Sequence, residues 1–506
     1  MARQMHEATN SRAARHPLLS RRAFAGAVAL AAAGMLGACT DDGVRVAVVE
    51  APPASTVLPG TDLAPTASAL STALFTAADA VVIATEENAQ QLAAVSAAAG
   101  LPLLVGTDSA VAEELSRLAT GTLVAAAGTD LGPLGEDFDV IEHGADGAEL
   151  PTATRSDPAA AVTLLVDPEA AAPVRAVASA LVEVAGGTVV EIPGGDLGRS
   201  SASLEAAATA AGEDPATGVL ALGAGFGAAD AFAAGLASTL AMPQLPGGGT
   251  TVFPGRRMVA MYGTPGTPSL GVLGEQGLED SITRVQELVA EYDGLSEEPV
   301  MPAWEIITTI AAGEAGADGN HSTELGTGTL GEWIDAAAEA GVYVVLDLQP
   351  GTTDFLTQAT LYEDLLLAPH VGLALDPEWR LEPGQKHLEQ IGSVTAAEIN
   401  EVSTWLADLT AENGLPQKVL ILHQFTHAMI SDRQDVDTSR PELAITLHAD
   451  GHGVPGDKLG TYRALQTGLP EGIHMAWKNF YDEDTPMFTP EETYEVEPRP
   501  WFVSYQ

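Results

Sequence analysis

Two carboxylates at i and i+2, Asp376 and Glu378, close the stretch Val371–Trp379, which reads VGLALDPEW. A strand turns successive side chains to opposite faces, so Gly372, Ala374, Asp376 and Glu378 share one face and Leu373 and Leu375 the other. Acids so spaced stand about 7 Å apart along a strand, close enough to act on one substrate. Paired carboxyls suit cleavage of a glycosidic bond: one protonates the leaving oxygen while a second group stabilises the anomeric cation. The competing reading is a helix N-cap at Asp376 followed by an exposed Glu378.

Other groups able to do chemistry end apolar runs further along the chain. They are Tyr262, Glu305, Asp347, His423 with Gln424, His448 with Asp450, Lys478 with Asn479, and Tyr505. Polar strand-to-helix loops alone explain Asp347 or Asp450, but poorly explain Glu305, His423, His448 and Lys478 inside apolar sequence. Eight strand-like runs carry these residues: Arg257–Gly263, Val300–Ile306, Val342–Leu348, Val371–Glu378, Lys418–Phe425, Leu443–Ala449, Gly472–Asn479 and Trp501–Gln506. Helical patterns fill most gaps, notably Leu278–Tyr292, Leu330–Ala340, Thr353–Leu367, Ala396–Asn413 and Lys458–Leu465. About 250 residues with eight such strands predict a (β/α)8 barrel over 254–506, whose C-terminal mouth would gather the groups.

The Asp-x-Glu ending the fourth run resembles the lysozyme and chitinase type of glycoside hydrolase barrel, and the final Val503-Ser504-Tyr505-Gln506 resembles its short aromatic last strand. The resemblance implies Glu378 as general acid and Asp376 as the residue that orients a substrate N-acetyl group. Asp347 and Asp450, from their places at strand ends, are further candidate catalytic carboxylates. Tyr262, Glu305, Trp379, His423, Gln424, His448, Lys478, Asn479 and Tyr505 become candidate substrate-binding residues, and Trp304, Trp477 and Tyr481 further stacking faces. The sequence departs from that group at Pro377, between the acids, and lacks the longer chitinase acidic run. A design with glutamates on strands four and seven is disfavoured, because strand seven offers Lys478 and Asn479. Two alternatives stay open. His423, His448, Asp450, His452, Asp347 and Asp376 are also ligand types for a metal-dependent hydrolase, although there is no HExxH and no paired His on strand one. The chain could instead bind cell-wall glycan without catalysis. No cofactor is expected, and no metal is assigned to the favoured reading.

The sequence before residue 254 alternates apolar strands with Ala-rich helices, as in Asp79–Thr85, Leu101–Gly106, Thr122–Ala127, Val162–Asp167, Thr188–Ile192 and Gly218–Leu222. This predicts parallel α/β lobes of flavodoxin or Rossmann type at 66–150 and 151–253. Ala78–Thr85, the helix Glu87–Ala99 and Leu101-Pro102-Leu103-Leu104 resemble one cell-wall-binding repeat of Gram-positive surface proteins. Gly194-Gly195-Asp196 and Gly223–Gly227 read as tight turns, because no acidic residue follows where a dinucleotide loop needs one. All six Trp, all eight Tyr and all four Lys lie at or beyond Tyr262, which assigns chemistry to the C-terminal half.

Residues 1–38 read as an export segment: Ser20-Arg21-Arg22-Ala23-Phe24 resembles a twin-arginine signal, and Leu36-Gly37-Ala38-Cys39 a lipoprotein cleavage box. Cys39 is the only cysteine, so no internal disulfide is possible and lipidation is its expected role. Residues 39–65 read as a tether, apart from a possible strand at Arg45–Glu50. The expected placement is the extracytoplasmic face of the cell membrane, lipid-anchored, with a cell-wall glycan or small carbohydrate as partner. A net charge of −47 disfavours nucleic acid and anionic membrane surfaces.

Overall fold

The eight expected strands close into one parallel ring. The computed structural model describes residues 44–144, 149–156 and 161–506; residues 1–38, expected to be an export segment, and Cys39 lie outside them. The ring strands are β1 (Arg257–Gly263), β2 (Val300–Ala311), β3 (Tyr343–Leu348), β4 (Val371–Leu375), β5 (Lys418–Gln424), β6 (Leu443–Ala449), β7 (His474–Asn479) and β8 (Phe502–Tyr505). Each pairs in parallel with the next, and β1 pairs with both β2 and β8, so no edge is left in the ring. A short strand, Ser322–Glu324, adds an antiparallel hairpin to the end of β2.

Alternation along each strand builds two cores. Val259, Trp304, Leu346, Leu373, Leu422 and Leu447 face outward against the helices. Ala260, Ala303, Tyr343, Ala374, Ile421 and Ala476 fill the interior. Leu245, Val252 and Phe253 join that inner core at the strand-entry end, where the Val252 amide donates to the Gln417 side chain. The bottom of the barrel is therefore filled, and polar inward-facing groups can collect only at the top.

The helices behind the ring are Leu278–Ala290, Thr327–Ala340, Phe355–Thr360 with Glu363–Leu366, Ala396–Glu412, Pro455–Gln466 and Pro490–Tyr494. The single helix expected over Thr353–Leu367 is broken at Tyr362, which has φ −113° and ψ 16°. After β5 the described residues form no α-helix, only two short 3-10 turns and the two-residue strand Ile430–Ser431 paired with Val394–Thr395, because Phe425–Pro441 has no repeating apolar face.

The N-terminal region contains two four-stranded parallel sheets. One runs Leu103–Val105, Ala80–Ala84, Thr122–Ala126, Asp139–His143; the other runs Thr188–Glu191, Thr163–Val166, Val219–Leu222, Thr56–Val57. Parallel pairing is not universal: Val44–Val48 is antiparallel to Phe75–Ala78 and parallel to Ala153–Arg155. Residues of both four-stranded sheets share one hydrophobic core, from Val82 and Leu103 to Leu164 and Leu220. The expected lobe break at 144–151 falls partly on residues 145–148, outside those described.

The 39–65 tether needs correction in its described part. Thr56–Val57 covers the open edge of Val219–Leu222, with the Ser55 hydroxyl accepting from the Val219 amide. Pairing satisfies edge groups that would otherwise be left without partners. Among the described residues no helix is long and apolar enough to cross a membrane.

Gly372 is required inside the ring. Tyr343 reaches across it so that its hydroxyl accepts from the Val419 amide at 3.1 Å. A Cβ at 372 would stand 2.6 Å from the Val419 carbonyl and 3.0 Å from that hydroxyl. Gly372→Ala is expected to cost about 1–3 kcal/mol by overpacking, read as a lower urea midpoint; an unchanged midpoint would contradict this packing.

Candidate active site

Ring parity delivers Tyr262 (β1), Glu305 (β2), Asp347 (β3), His423 (β5), His448 (β6) and Lys478 (β7) to the interior at the C-terminal end of the strands. At the centre, His423 Nδ1 lies 2.9 Å from Asp450 Oδ2 and Nε2 lies 2.8 Å from Glu305 Oε1. A carboxylate can only accept, so both ring nitrogens donate and the ring is an imidazolium. Burial pushes the His423 pKa down, but the charges of Glu305 and Asp347 and both hydrogen bonds lift it well above the usual value. Reciprocally, burial pushes the Glu305 carboxyl up, but the charge and hydrogen bond of His423 hold it below its ordinary pKa. Asp450 is likewise held down by the hydrogen bond and charge of His423, despite its burial.

His448 has the opposite polarity. Its Nε2 lies 3.2 Å from the Trp477 carbonyl and 3.1 Å from Ser504 Oγ. The carbonyl can only accept, so Nε2 carries the proton and Nδ1 keeps a lone pair. Burial lowers its pKa to about 4, which leaves the ring neutral. Nδ1 stands 3.8 Å from Glu305 Oε1, and among the described residues neither it nor Glu305 Oε2, Asp347 Oδ1 or Asp450 Oδ1 has a hydrogen-bond partner.

Above this floor, the Tyr262 hydroxyl donates to Asp347 Oδ2 at 2.8 Å, and Lys478 Nζ lies 3.5 Å from the centre of the Tyr262 ring. Burial raises the Asp347 pKa to about 6. Asp376 is fully shielded, and burial with the Asp347 and Asp450 charges raises its carboxyl well above the ordinary value. Glu378 is raised by burial and then by the Asp450 charge. Both acids line a cavity of about 460 Å³ with Tyr262, Trp379, Phe425, Asp450, Lys478 and Phe480. A larger cavity, about 650 Å³, lies between the glycine-rich turns and the strand-entry end of the barrel and gathers no comparable set of acids and imidazoles.

The route to Glu378 differs from the expected one. Strand β4 stops at Leu375, so Glu378 does not reach the mouth by strand alternation. Pro377 has no N–H with which to continue the ladder. Asp376 then accepts from the Glu378 amide at 3.1 Å and caps the short turn Pro377–Trp379. Asp376 thus caps a short turn, as one reading of the sequence expected, but the turn carries Glu378 over the mouth, where it is half-buried rather than exposed.

Three expected binding residues face the other way. Gln424 accepts from Arg433 outside the ring, one position after inward His423. Asn479 bonds the Trp477 indole and Thr493 in the outer layer. Tyr505 meets the Tyr292 hydroxyl at 2.6 Å, while its neighbour Ser504 faces His448. Trp304 and Trp477 also point outward, packed on Trp333 and Tyr462, so neither can stack on a ligand in the mouth. Tyr481 is partly exposed beside Tyr505, outside the residues lining the mouth cavity. Three residues outside the expected set also border the site: Ser504 meets His448, and Gln349 and Phe480 line the cavity; inward parity on the eighth strand points to Ser504. No protein-family model and no curated protein matches this sequence.

Among the described residues Asp347 has one hydrogen-bond donor, Tyr262. Tyr262→Phe would leave a fully buried carboxyl without one, at an expected cost of about 2–3 kcal/mol in urea unfolding at pH 7. Adding Asp347→Asn should recover most of that loss. Equal destabilisation with and without Asp347→Asn would contradict the pairing.

Proposed function

We propose that the barrel hydrolyses a glycosidic bond in an amino-sugar polymer, with Glu378 as general acid and Asp376 as its orienting partner. One observation carries the reading. Glu378 borders the mouth cavity with its pKa raised by burial and by Asp450, beside a second carboxyl, Asp376, raised further. A carboxyl with a raised pKa holds its proton to higher pH than a free one, which suits it to protonate a leaving oxygen.

In this mechanism the sugar enters over Trp379, whose ring supplies an apolar face for a pyranose. Glu378 gives its proton to the glycosidic oxygen as the C–O bond breaks. Asp376 orients the substrate N-acetyl group, whose carbonyl oxygen takes the anomeric carbon. Water then opens that intermediate, with Glu378 accepting its proton. The ionised Asp450 gives the mouth a negative potential, which favours the developing cation.

Peptidoglycan is the proposed polymer, because the sequence of residues 20–39 suits an exported lipoprotein held at Cys39 on the outer membrane face. The cell-wall-binding and flavodoxin-like characters of the N-terminal sheets belong to the same proposal. Cys39→Ser should move the protein from the membrane to the soluble extracytoplasmic fraction; continued membrane retention would sink the anchoring claim.

Glu378→Gln should lower turnover of peptidoglycan fragments or chitin oligomers by about 10²–10⁴-fold while thermal stability and ligand affinity hold. The acid must be protonated, so wild-type rate should fall as pH rises through the raised Glu378 pKa. Turnover unaffected by Glu378→Gln would refute the assignment. Retained glycan binding with no turnover in the wild type would favour a non-catalytic binding protein.

A further inference from the structure

We propose that the barrel floor is a divalent transition-metal site, formed by Glu305, His423 and His448 beneath the acid pair. The ligating atoms of these three fully buried residues lie within 4.8 Å of one another. The inference does not depend on the glycosidic reading, to which the sequence assigned no metal.

Three features mark the triad as more than a cluster of polar residues. His448 is held through Nε2 by the Trp477 carbonyl, which leaves the Nδ1 lone pair aimed inward without a partner. His423 is held through Nδ1 by Asp450, which leaves Nε2 facing Glu305. Glu305 keeps Oε2 free. Each imidazole thus has a carboxylate or carbonyl on the nitrogen remote from the site, the arrangement that orients histidine ligands and fixes their tautomer. In the metal-free protein a proton on His423 Nε2 bridges to Glu305, where a cation would bind instead; binding releases that proton to solvent.

The spacing fits. Four-coordinate zinc with bonds of about 2.0–2.2 Å separates its ligand atoms by about 3.3 Å. Glu305 Oε1 lies 2.8 Å from His423 Nε2 and 3.8 Å from His448 Nδ1, so small rotations bring both to that value. Asp347 Oδ1, unpartnered and 3.9 Å from His423 Nε2, is the remaining donor within reach. Two imidazoles and a carboxylate select zinc or another borderline first-row ion over calcium or magnesium, which take oxygen ligands. A divalent charge would also offset carboxylates crowded at the mouth, where Glu305, Asp347, Asp376 and Asp450 face one lysine and one imidazolium.

The test uses the full chain, stripped with chelator, dialysed, and given zinc chloride alone. About one zinc per chain should remain after a second dialysis, with a raised melting temperature that calcium chloride does not reproduce. His448→Ala and Glu305→Gln should each weaken zinc affinity at least tenfold, whereas Asp482→Asn with Glu483→Gln, on the exposed acidic loop, should not. If the triad variants fail to fold, cobalt(II) in the wild type reports directly: intense d–d absorption of a low-coordinate nitrogen and oxygen site is expected. Loss of all zinc, weak octahedral cobalt spectra, or triad variants that bind as tightly as wild type would each overturn the proposal.

Discussion

The bonds from His423 to Glu305 and Asp450 allow the mouth to exist. Four carboxyl side chains, Glu305, Asp347, Asp376 and Asp450, are buried in one end of one barrel. Moving charge out of water is costly unless it is paired and hydrogen-bonded. An imidazolium between Glu305 and Asp450 keeps those two ionised. Asp347 and Asp376 carry less compensation, and their pKa values rise instead. One cationic ring therefore divides the acids into two that are charged and two that hold protons more tightly.

That contact in turn depends on ring closure. Glu305 and His423 are 118 residues apart, and they meet because β2 and β5 face each other across the interior. The apolar filling below, from Phe253 to Ala374, supplies the low-dielectric surroundings that make these interactions strong. Small residues on β4, Gly372 and Ala374, leave room for the Tyr343 ring, and the outward leucines anchor the strand to its helices. The same alternation thus provides the packing, the cavity and the orientation of the polar groups.

Much of this was legible in the sequence because strand periodicity is a strict geometric rule. All eight barrel strands and their order follow from apolar runs, and Glu305, Asp347, His423, His448 and Lys478 from polar positions within them. The failures come from treating each strand end as one location. Gln424, Asn479 and Tyr505 adjoin inward residues in sequence but face outward, because adjacent side chains point to opposite faces. Glu378 reaches the cavity through a turn that Pro377 and Asp376 impose, which alternation alone does not describe. The hydrogen-bond polarity of His423 and His448 was beyond the sequence, since it depends on which carbonyl or carboxylate each nitrogen meets. The pairing of Thr56–Val57 with Val219–Leu222 was also hidden, since two residues are too few to show a period.

The proposed chemistry comes down to whether a sugar occupies the mouth with its scissile oxygen at residue 378. The most direct measurement is a crystal structure of the Glu378→Gln protein soaked with an N-acetylglucosamine oligomer or a peptidoglycan fragment. The glycosidic oxygen should lie within hydrogen-bond distance of the substituted side chain, one pyranose ring against Trp379 and an N-acetyl group at Asp376. A well-ordered sugar bound elsewhere, or a mouth that stays free of sugar at saturating ligand, would contradict the account.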